Sequence, residues 1–124
     1  MGSKAITGKQ LGDFGEAAVA VWLRKNGYQV LASQFRCRYG EVDLIAKEGN
    51  TLCFIEVKTR TNLSMALPRE YVGKQKQARL RAAAQYYISL HELDCTMRFD
   101  VAEVYVSETG KTSIHYIENA FWTE

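Results

Sequence analysis

The sequence predicts an α/β domain in which a mixed β-sheet is flanked by helices, in the order helix, three strands, helix, two strands. Two segments carry apolar residues at helical spacing, and five shorter segments have strand character. Strands interleaved with helices are typical of a mixed sheet that helices cover. The chain has 124 residues with one proline and no repeat or linker, so we expect a single domain over residues 1–124.

The first helix is predicted over residues 9–26, with Gly27 as its C-terminal stop. Its expected buried face is an apolar stripe at helical spacing, made of Leu11, Phe14, Ala18, Val21 and Trp22. Glu16 lies outside this stripe, between Leu23 and Ala20 around the helix, at the edge of a second apolar strip. We therefore expect its carboxylate to be half-buried or to point at a specific partner.

The remaining elements follow from apolar patterning and turn residues. Five strands are predicted, at residues 28–35, 41–47, 52–59, 97–106 and 111–117. The second and third form a hairpin, and a turn at residues 107–110 joins the last two. A loop at residues 63–70 leads to the second helix, predicted over residues 74–91 with Gly73 as its N-cap. The expected buried face of this helix consists of Leu80, Ala84, Tyr87 and Ile88.

The hairpin turn sets a register with chemical consequences. Glycine suits the first central position of a type II′ turn, which places Gly49 and Asn50 at the tip. The register then pairs Glu48 with Thr51, Ala46 with Cys53, Asp43 with Glu56, and Glu41 with Lys58. One face is apolar throughout, with Val42, Leu44 and Ala46 opposite Cys53, Ile55 and Val57. We expect burial of that face to select this register.

On the other face, Asp43 and Glu56 would lie directly opposite each other, with Cβ atoms about 4.5–5.5 Å apart. Two like charges at that distance repel, so a proton, a basic side chain or a bridging divalent cation is required. Carboxylate oxygens suit Mg²⁺ or Mn²⁺. Lys58 lies on the same face, where it could hold an attacking water or stabilise charge on a phosphate.

A plainer interpretation stays open from the residues alone. The carboxylates and Lys58 could form ordinary cross-strand ion pairs on a solvated face, where such pairs contribute little. Ile45 and Phe54 share that face, however, so it is not plainly polar. This favours a metal site on an interior pair of strands.

Basic residues cluster around the hairpin and at the start of the second helix. The net charge of +2 does not by itself indicate a nucleic-acid partner. Basic side chains at a helix N-terminus oppose the helix dipole, which favours a role in phosphate contact over a role in stability. A solubilising surface is the alternative. The residues expected to contact nucleic acid are Arg36, Arg38, Arg60, Lys74, Gln75, Lys76 and Arg79.

Composition excludes several other classes of protein. The three cysteines are far apart and form no CxxC pair, so neither a disulfide framework nor a zinc site is expected, and a reducing cytoplasm fits best. No apolar run approaches the roughly 20 residues of a membrane span. The N-terminus lacks the apolar stretch of a signal peptide. We therefore expect a cytoplasmic protein without a membrane partner.

An aspartate followed by a hairpin and Glu-x-Lys, here Asp43 and Glu56-Val57-Lys58, resembles the signature of the PD-(D/E)xK nucleases, which have the restriction-endonuclease-like fold. Over nearly the whole chain, the sequence is also similar to the YraN-like family, a bacterial group similar to archaeal Holliday-junction resolvases. The segments that carry this similarity are residues 15–18, 36–45, 54–60, 74–76, 98–101 and 117–121. Val42 replaces the proline that precedes the aspartate in the signature.

The resemblance implies specific roles for these residues. Asp43 and Glu56 would bind Mg²⁺ or Mn²⁺, with Glu16 reaching the metal directly or through water, and Lys58 would be the catalytic lysine. Gln75 would reach the site from the second helix, as helix residues do in related nucleases. The implied activity is hydrolysis of phosphodiester bonds in DNA, including branched DNA, by a homodimer. The alternatives are a nucleic-acid-binding module that cuts nothing and a protein-interaction domain of nuclease fold.

Overall fold

The structure, a computed structural model, describes residues 7–61 and 72–121. Its elements are α1 (Gly8–Lys25), β1 (Gln29–Cys37), β2 (Gly40–Glu48), β3 (Thr51–Thr61), α2 (Lys74–Leu90), β4 (Thr96–Val106) and β5 (Thr112–Ile117). They confirm the predicted α/β order, with every end within two residues of its predicted position. The loop expected at residues 63–70 lies outside the described residues. Neither α1 nor α2 combines the length and the apolar character needed to cross a membrane.

The five strands form one mixed sheet in the order β1-β2-β3-β4-β5. β3 and β4 are parallel neighbours joined through α2, and the other neighbouring pairs are antiparallel. Parallel neighbours need such a crossover because a tight turn cannot connect them. β3 is therefore the middle strand, with partners on both sides.

Helix α1 begins with a capping box that the sequence encodes as Thr7-x-x-Gln10. The Thr7 hydroxyl accepts a hydrogen bond from the backbone N–H of Gln10, at 3.0 Å. The Gln10 side chain in turn accepts from the backbone N–H of Thr7, at 2.9 Å. These reciprocal bonds satisfy donors that the first turn leaves free, which fixes where the helix starts.

The buried face predicted for α1 is only partly right: Trp22 packs against a core cluster, but none of the five predicted residues is fully buried. Phe14 and Val21 are exposed, at 47% and 49%, and the buried residues are Gly15, Val19 and Leu23. Apolar side chains occupy several sides of this helix, so their spacing does not select one face. Gly15 determines which face is buried, because its missing side chain lets the helix approach Thr59 of β3 closely. The face predicted for α2 is confirmed, with Leu80, Ala84 and Tyr87 buried, Ile88 packed against them and Ala83 added.

The predicted hairpin register is confirmed near the turn. Gly49 has a φ of +59°, the left-handed conformation that this position requires. The paired residues are Glu48–Thr51, Lys47–Leu52, Ala46–Cys53, Ile45–Phe54 and Leu44–Ile55. Regular pairing between β2 and β3 stops there, one step short of Asp43 and Glu56.

The strands change face at Asp43, which the alternation did not predict. Val42 was expected beside Leu44, but the two residues belong to core clusters on opposite faces of the sheet. On β1, the pairing passes from Ser33–Leu44 to Phe35–Val42 around Gln34, whose φ is +50°. A left-handed residue of this kind locally breaks the pleat. The irregularity separates Asp43 from the regular ladder.

Two apolar clusters cover the sheet, one beneath each helix. Val19 and Leu23 of α1 pack on Leu44 and Ile55. On the opposite face, α2 packs on a larger cluster built from Val42, Ile45, Leu52, Phe54, Phe99, Val101 and Phe121. Burial of both sheet faces explains why β2 and β3 are apolar on both sides between residues 44 and 55.

A buried ion pair connects β5 and the turn after it to β4. Asp100 is fully buried and accepts hydrogen bonds from Nε and Nη2 of Arg98, each at 2.9 Å. The Tyr116 hydroxyl, at 2.5 Å, and the backbone N–H of Asn119, at 3.0 Å, also donate to it. These donors satisfy the buried carboxylate and hold β5 and Asn119 against β4.

Substitution of Gly15 by alanine tests the close packing of α1. An added Cβ would lie 1.8 Å from Oγ1 and 3.0 Å from Cβ of Thr59, so the helix must move away from β3. We expect urea unfolding to show a loss of about 1–3 kcal/mol. The control is Gly12→Ala in the same helix, where no atom lies within 4 Å of the new Cβ and a gain of about 0.5–1 kcal/mol is expected. Equal effects of the two substitutions would contradict the packing argument.

Candidate functional site

The site centres on Glu56, a buried carboxylate of β3 that is 7% exposed. Two lysines contact the same oxygen, Oε2. Nζ of Lys76, from the first turn of α2, lies at 2.5 Å, and Nζ of Lys58 lies at 3.7 Å. A carboxylate removed from water needs such compensation to remain charged. Glu56 points toward α2 because α2 crosses the same face of the sheet.

Asp43 lies at the point where the β2–β3 ladder ends. Its Oδ2 accepts a hydrogen bond from the backbone N–H of Val57, at 2.8 Å, in the place of a backbone carbonyl. Burial, together with the charge of nearby Glu56, raises the pKa of Asp43 to about 7, although the Val57 donor and the charge of Lys76 lower it in part. The two carboxylates are therefore electrostatically coupled, as the predicted register required, although they are not regular ladder partners.

Glu16 approaches the site from α1. It is half-buried at the edge of the helix's buried strip, as predicted, and its Oε1 accepts a hydrogen bond from the Gln34 side chain at 3.3 Å. Burial raises the pKa of Glu16, and the charges of Asp13, Glu41 and Glu56 add to the effect. This hydrogen bond thus connects Glu16 of α1 to Gln34, the residue of β1 that has a positive φ.

The donor atoms of Asp43 and Glu56 suit a hard cation. Within residues 7–61 and 72–121, no three side chains of histidine, cysteine, aspartate or glutamate are arranged to hold a metal ion. Mg²⁺ does not require such a cage, since one or two carboxylates hold it together with waters and substrate phosphates. Burial raises the pKa of Asp43, so charging this carboxylate costs free energy that a divalent cation would offset. The pair therefore fits Mg²⁺ or Mn²⁺, and the direct role predicted for Glu16 stays a prediction.

Lys58 belongs to a row of polar residues that crosses three strands. It is the ladder partner of Glu103 on β4, and Glu103 is the ladder partner of His115 on β5. Glu103 is fully buried, and its Oε1 lies 3.2 Å from Nδ1 of His115. Lys58 did not pair with Glu41 as the sequence suggested, because Glu41 forms an exposed ion pair with Arg36 at 3.1 Å. The row places Lys58 between two buried carboxylates.

An open cleft of about 740 Å³ lies between the β1–β2 turn and the start of α2, and it is connected to Glu56 through Lys76. Four of the residues predicted to contact nucleic acid or reach the site line it: Arg36, Gln75, Lys76 and Arg79. The turn is fixed to the helix at Gly40, where an added Cβ would lie 3.3 Å from Cβ of Arg79. The cleft brings separate basic segments of the sequence to one surface.

The other predicted basic residues lie outside the set that lines this cleft. The guanidinium carbon of Arg38 is 5.4 Å from the ring centroid of Tyr39, in the β1–β2 turn. Lys74 is exposed at the start of α2, and Arg60 is half-buried near the end of β3. Their roles in nucleic-acid binding stay predictions.

The contact between Lys76 and Glu56 was missed, because Gln75 was expected to reach the site from α2. Gln75 is exposed and lines the cleft. The helical period could have predicted this contact. Lys76 precedes the buried Leu80 by four residues and so faces the sheet, as Leu80 and Ala84 do. Gln34 was also missed, and only its left-handed backbone, which the sequence does not reveal, brings it to Glu16.

Comparison with known proteins identifies relatives along most of the chain. The model of the uncharacterised protein family UPF0102 matches residues 15–104. A UPF0102 protein of Caldicellulosiruptor saccharolyticus is 44% identical over 115 residues, which cover 91% of this chain and 98% of that protein. One of Alkaliphilus metalliredigens is 44% identical over 114 residues, with the same coverage. One of Chlorobium chlorochromatii is 40% identical over 120 residues, or 93% of each chain.

Replacement of Asp43 by asparagine tests the electrostatic state of the site. With a pKa of about 7 in place of 3.8, folded Asp43 binds its proton more tightly than the unfolded chain does. Wild-type stability should therefore fall as the pH rises from about 4 to 7, relative to Asp43→Asn. Above pH 7 the variant should be more stable by at least about 1 kcal/mol, and the difference should vanish below pH 4.

Urea unfolding in EDTA at several pH values measures this difference. The exposed Glu41→Gln on the same strand is the control, and little change is expected from it. A wild type that is more stable than Asp43→Asn at pH 8 would mean that the ionised Asp43 is well compensated, contrary to the prediction.

Proposed function

We propose that this chain, which belongs to the uncharacterised protein family UPF0102, is a metal-dependent nuclease that hydrolyses phosphodiester bonds in DNA. The observation that carries the proposal is the electrostatic coupling of Asp43 to the buried Glu56, whose partner Lys76 lines a cleft together with Arg36 and Arg79. Membership of the family, which is also the YraN-like family of the resemblance, is established by the match over residues 15–104. The activity is inferred from the site.

Each group in the site has a distinct part in this chemistry. Asp43 and Glu56 would hold Mg²⁺ or Mn²⁺ through their oxygens. A bound divalent cation supplies a water of lowered pKa and offsets charge on the phosphate. Lys58, held between Glu56 and Glu103, stabilises the charge that develops on the phosphate oxygens. Arg36 and Arg79 bind backbone phosphates in the cleft, which orients the strand but carries no sequence information.

The substrate rests on the resemblance more than on the site. Similarity to archaeal Holliday-junction resolvases favours branched DNA, while the cleft itself, lined by Arg36, Lys76 and Arg79 with Glu41 beside them, carries no feature specific to a branch. A non-catalytic nucleic-acid-binding module would use the same cleft without metal, and a protein-interaction domain would use neither. The cytoplasmic location expected from the cysteine content also stays a prediction.

Calorimetric titration with Mn²⁺ and Mg²⁺ tests the metal site directly. Wild type should bind, and Glu56→Gln should not, because the substitution keeps the shape of the side chain and removes its charge. Lys58→Met should still bind metal. Cleavage should be lost in both variants, by about a hundredfold or more. Glu108→Gln, in the exposed β4–β5 turn, is the control for both measurements.

The same proteins are then offered linear duplex, single-stranded and four-way-junction DNA. Preferential cutting of the junction supports the resolvase-like activity, and equal cutting of all three supports a general nuclease. No metal binding at millimolar concentration would contradict the catalytic proposal. DNA binding without metal would then leave the non-catalytic module.

A homodimer is expected if the substrate is a four-way junction, because such a junction presents two symmetric sites for cutting. Sedimentation velocity over a wide range of protein concentration, with and without junction DNA, measures this. A dimer that assembles with rising concentration or on the junction is the expected result. A monomer under every condition would contradict it and favour a substrate with a single cut site.

A further inference from the structure

We propose that Lys76 is a displaceable counter-cation, which holds Glu56 while the metal is absent, competes with the divalent cation for its carboxylate, and is drawn away by a phosphate in the cleft. The inference rests on the proposed function, because it concerns how the same site is loaded. It assigns to Lys76 a role distinct from that of Lys58, although both contact the same oxygen.

The two lysines differ in how freely they can move. The Lys58 side chain is 18% exposed and fixed on β3, between Glu56 and the ladder partner Glu103. The Lys76 side chain is 49% exposed and extends from the first turn of α2. The Lys76 side chain can turn further into water with little change in its packing, while the Lys58 side chain is mostly buried. Lys76 is therefore the lysine that can leave.

Lys76 and a divalent cation cannot both stay close to the Glu56 carboxylate without a large cost in electrostatic free energy. Nζ of Lys76 lies 2.5 Å from Oε2 of Glu56, a contact closer than that of Lys58. Two cations on one buried carboxylate repel each other strongly, because the surroundings screen them less than water does. Metal binding must therefore break the Lys76 contact. The free energy of breaking it makes the free energy of metal binding less favourable by the same amount.

The cleft offers the displaced ammonium a new partner. Lys76 lines the cleft together with Arg36 and Arg79, so a nucleic-acid phosphate bound there would lie within reach of it. A phosphate that attracts Lys76 would free Glu56 for the cation. Because coupling between two binding sites is reciprocal, nucleic acid should then strengthen metal binding and metal should strengthen nucleic-acid binding.

Three variants separate the charge of Lys76 from its surroundings. Lys76→Met removes the ammonium and keeps the apolar stem, Lys76→Arg keeps the charge, and Lys111→Met removes an exposed lysine far from the site in sequence. In calorimetric titration with Mn²⁺ we expect Lys76→Met to bind about tenfold more tightly than wild type. Lys76→Arg and Lys111→Met should match wild type.

Thermal unfolding gives a second measurement that needs no activity. In EDTA, Lys76→Met should unfold at a lower temperature than wild type, because Glu56 loses its nearest counter-charge. At saturating Mn²⁺ that difference should close, since the cation then compensates the carboxylate in both proteins. A merely structural lysine would leave the same difference under both conditions.

The movement of Lys76 from Glu56 to a phosphate is tested in a Lys58→Met background, which should not cleave DNA. A short single-stranded DNA should raise the Mn²⁺ affinity when Lys76 is present and have little effect with Lys76→Met. The heat of Mn²⁺ binding to the DNA alone is subtracted. An equal effect of DNA in both backgrounds would overturn the transfer step.

The outcomes distinguish this inference from the proposed function. Equal or weaker Mn²⁺ binding by Lys76→Met overturns the competition and leaves the metal site standing. Binding by Lys76→Met and not by wild type supports the competition, provided that a further Glu56→Gln change abolishes it, but contradicts the metal-dependent activity proposed for the wild type. If no variant binds Mn²⁺ at millimolar concentration, both the inference and the proposed metal site fail.

Discussion

Glu56 is a charge placed on the middle strand of the sheet, where each face is covered by a helix and little water reaches it. A buried carboxylate is tolerated only with counter-charges in good geometry, and several features of the fold provide them. The β3–α2–β4 crossover brings the first turn of α2, and with it Lys76, over the strand. Lys58 follows on the same face. The arrangement of α2 therefore serves both the core and this one ion.

The irregular parts of β1 and β2, on the other side of Glu56, also help to accommodate a partly buried carboxylate, that of Asp43. A regular ladder would have kept the Val57 N–H for a backbone carbonyl, and Asp43 would have stood opposite Glu56 with nothing to hold it. Instead the pleat breaks at Gln34 and Asp43, and the Asp43 carboxylate takes that N–H itself. The break also turns Gln34 toward Glu16. Irregular backbone of this kind commonly re-aims side chains beside functional sites.

Much of this architecture could be predicted from the sequence, and the exceptions have physical causes. Gly49 set the hairpin register, and burial on both faces of β2 and β3 made that register unambiguous as far as Leu44 and Ile55. The face of α1 was not predictable from spacing, because the helix is apolar on several sides and a single close contact at Gly15 decides its rotation.

Within the site, Asp43, Glu56 and Lys58 could be found from the hairpin alone, since they are separated by a short turn. The break at Gln34 could not, because no local residue type required a left-handed backbone there. The position of Lys76 could have been inferred from the phase of α2. Strand alternation and helical periodicity therefore do not predict where two neighbouring strands become irregular at the same point.

The parallel pairing of β3 with β4 also bears on the order in which the molecule assembles. The β2–β3 hairpin joins residues close in sequence, whereas the β3–β4 ladder begins by joining Thr51 to Thr96 across the whole of α2. Contacts of such long sequence separation form late, since the chain entropy of closing the loop must be overcome first. An early hairpin would bring Asp43 and Glu56 together before α2 had delivered Lys76. We therefore expect the acidic pair to oppose closure of the nascent hairpin beyond Leu44 until α2 supplies Lys76.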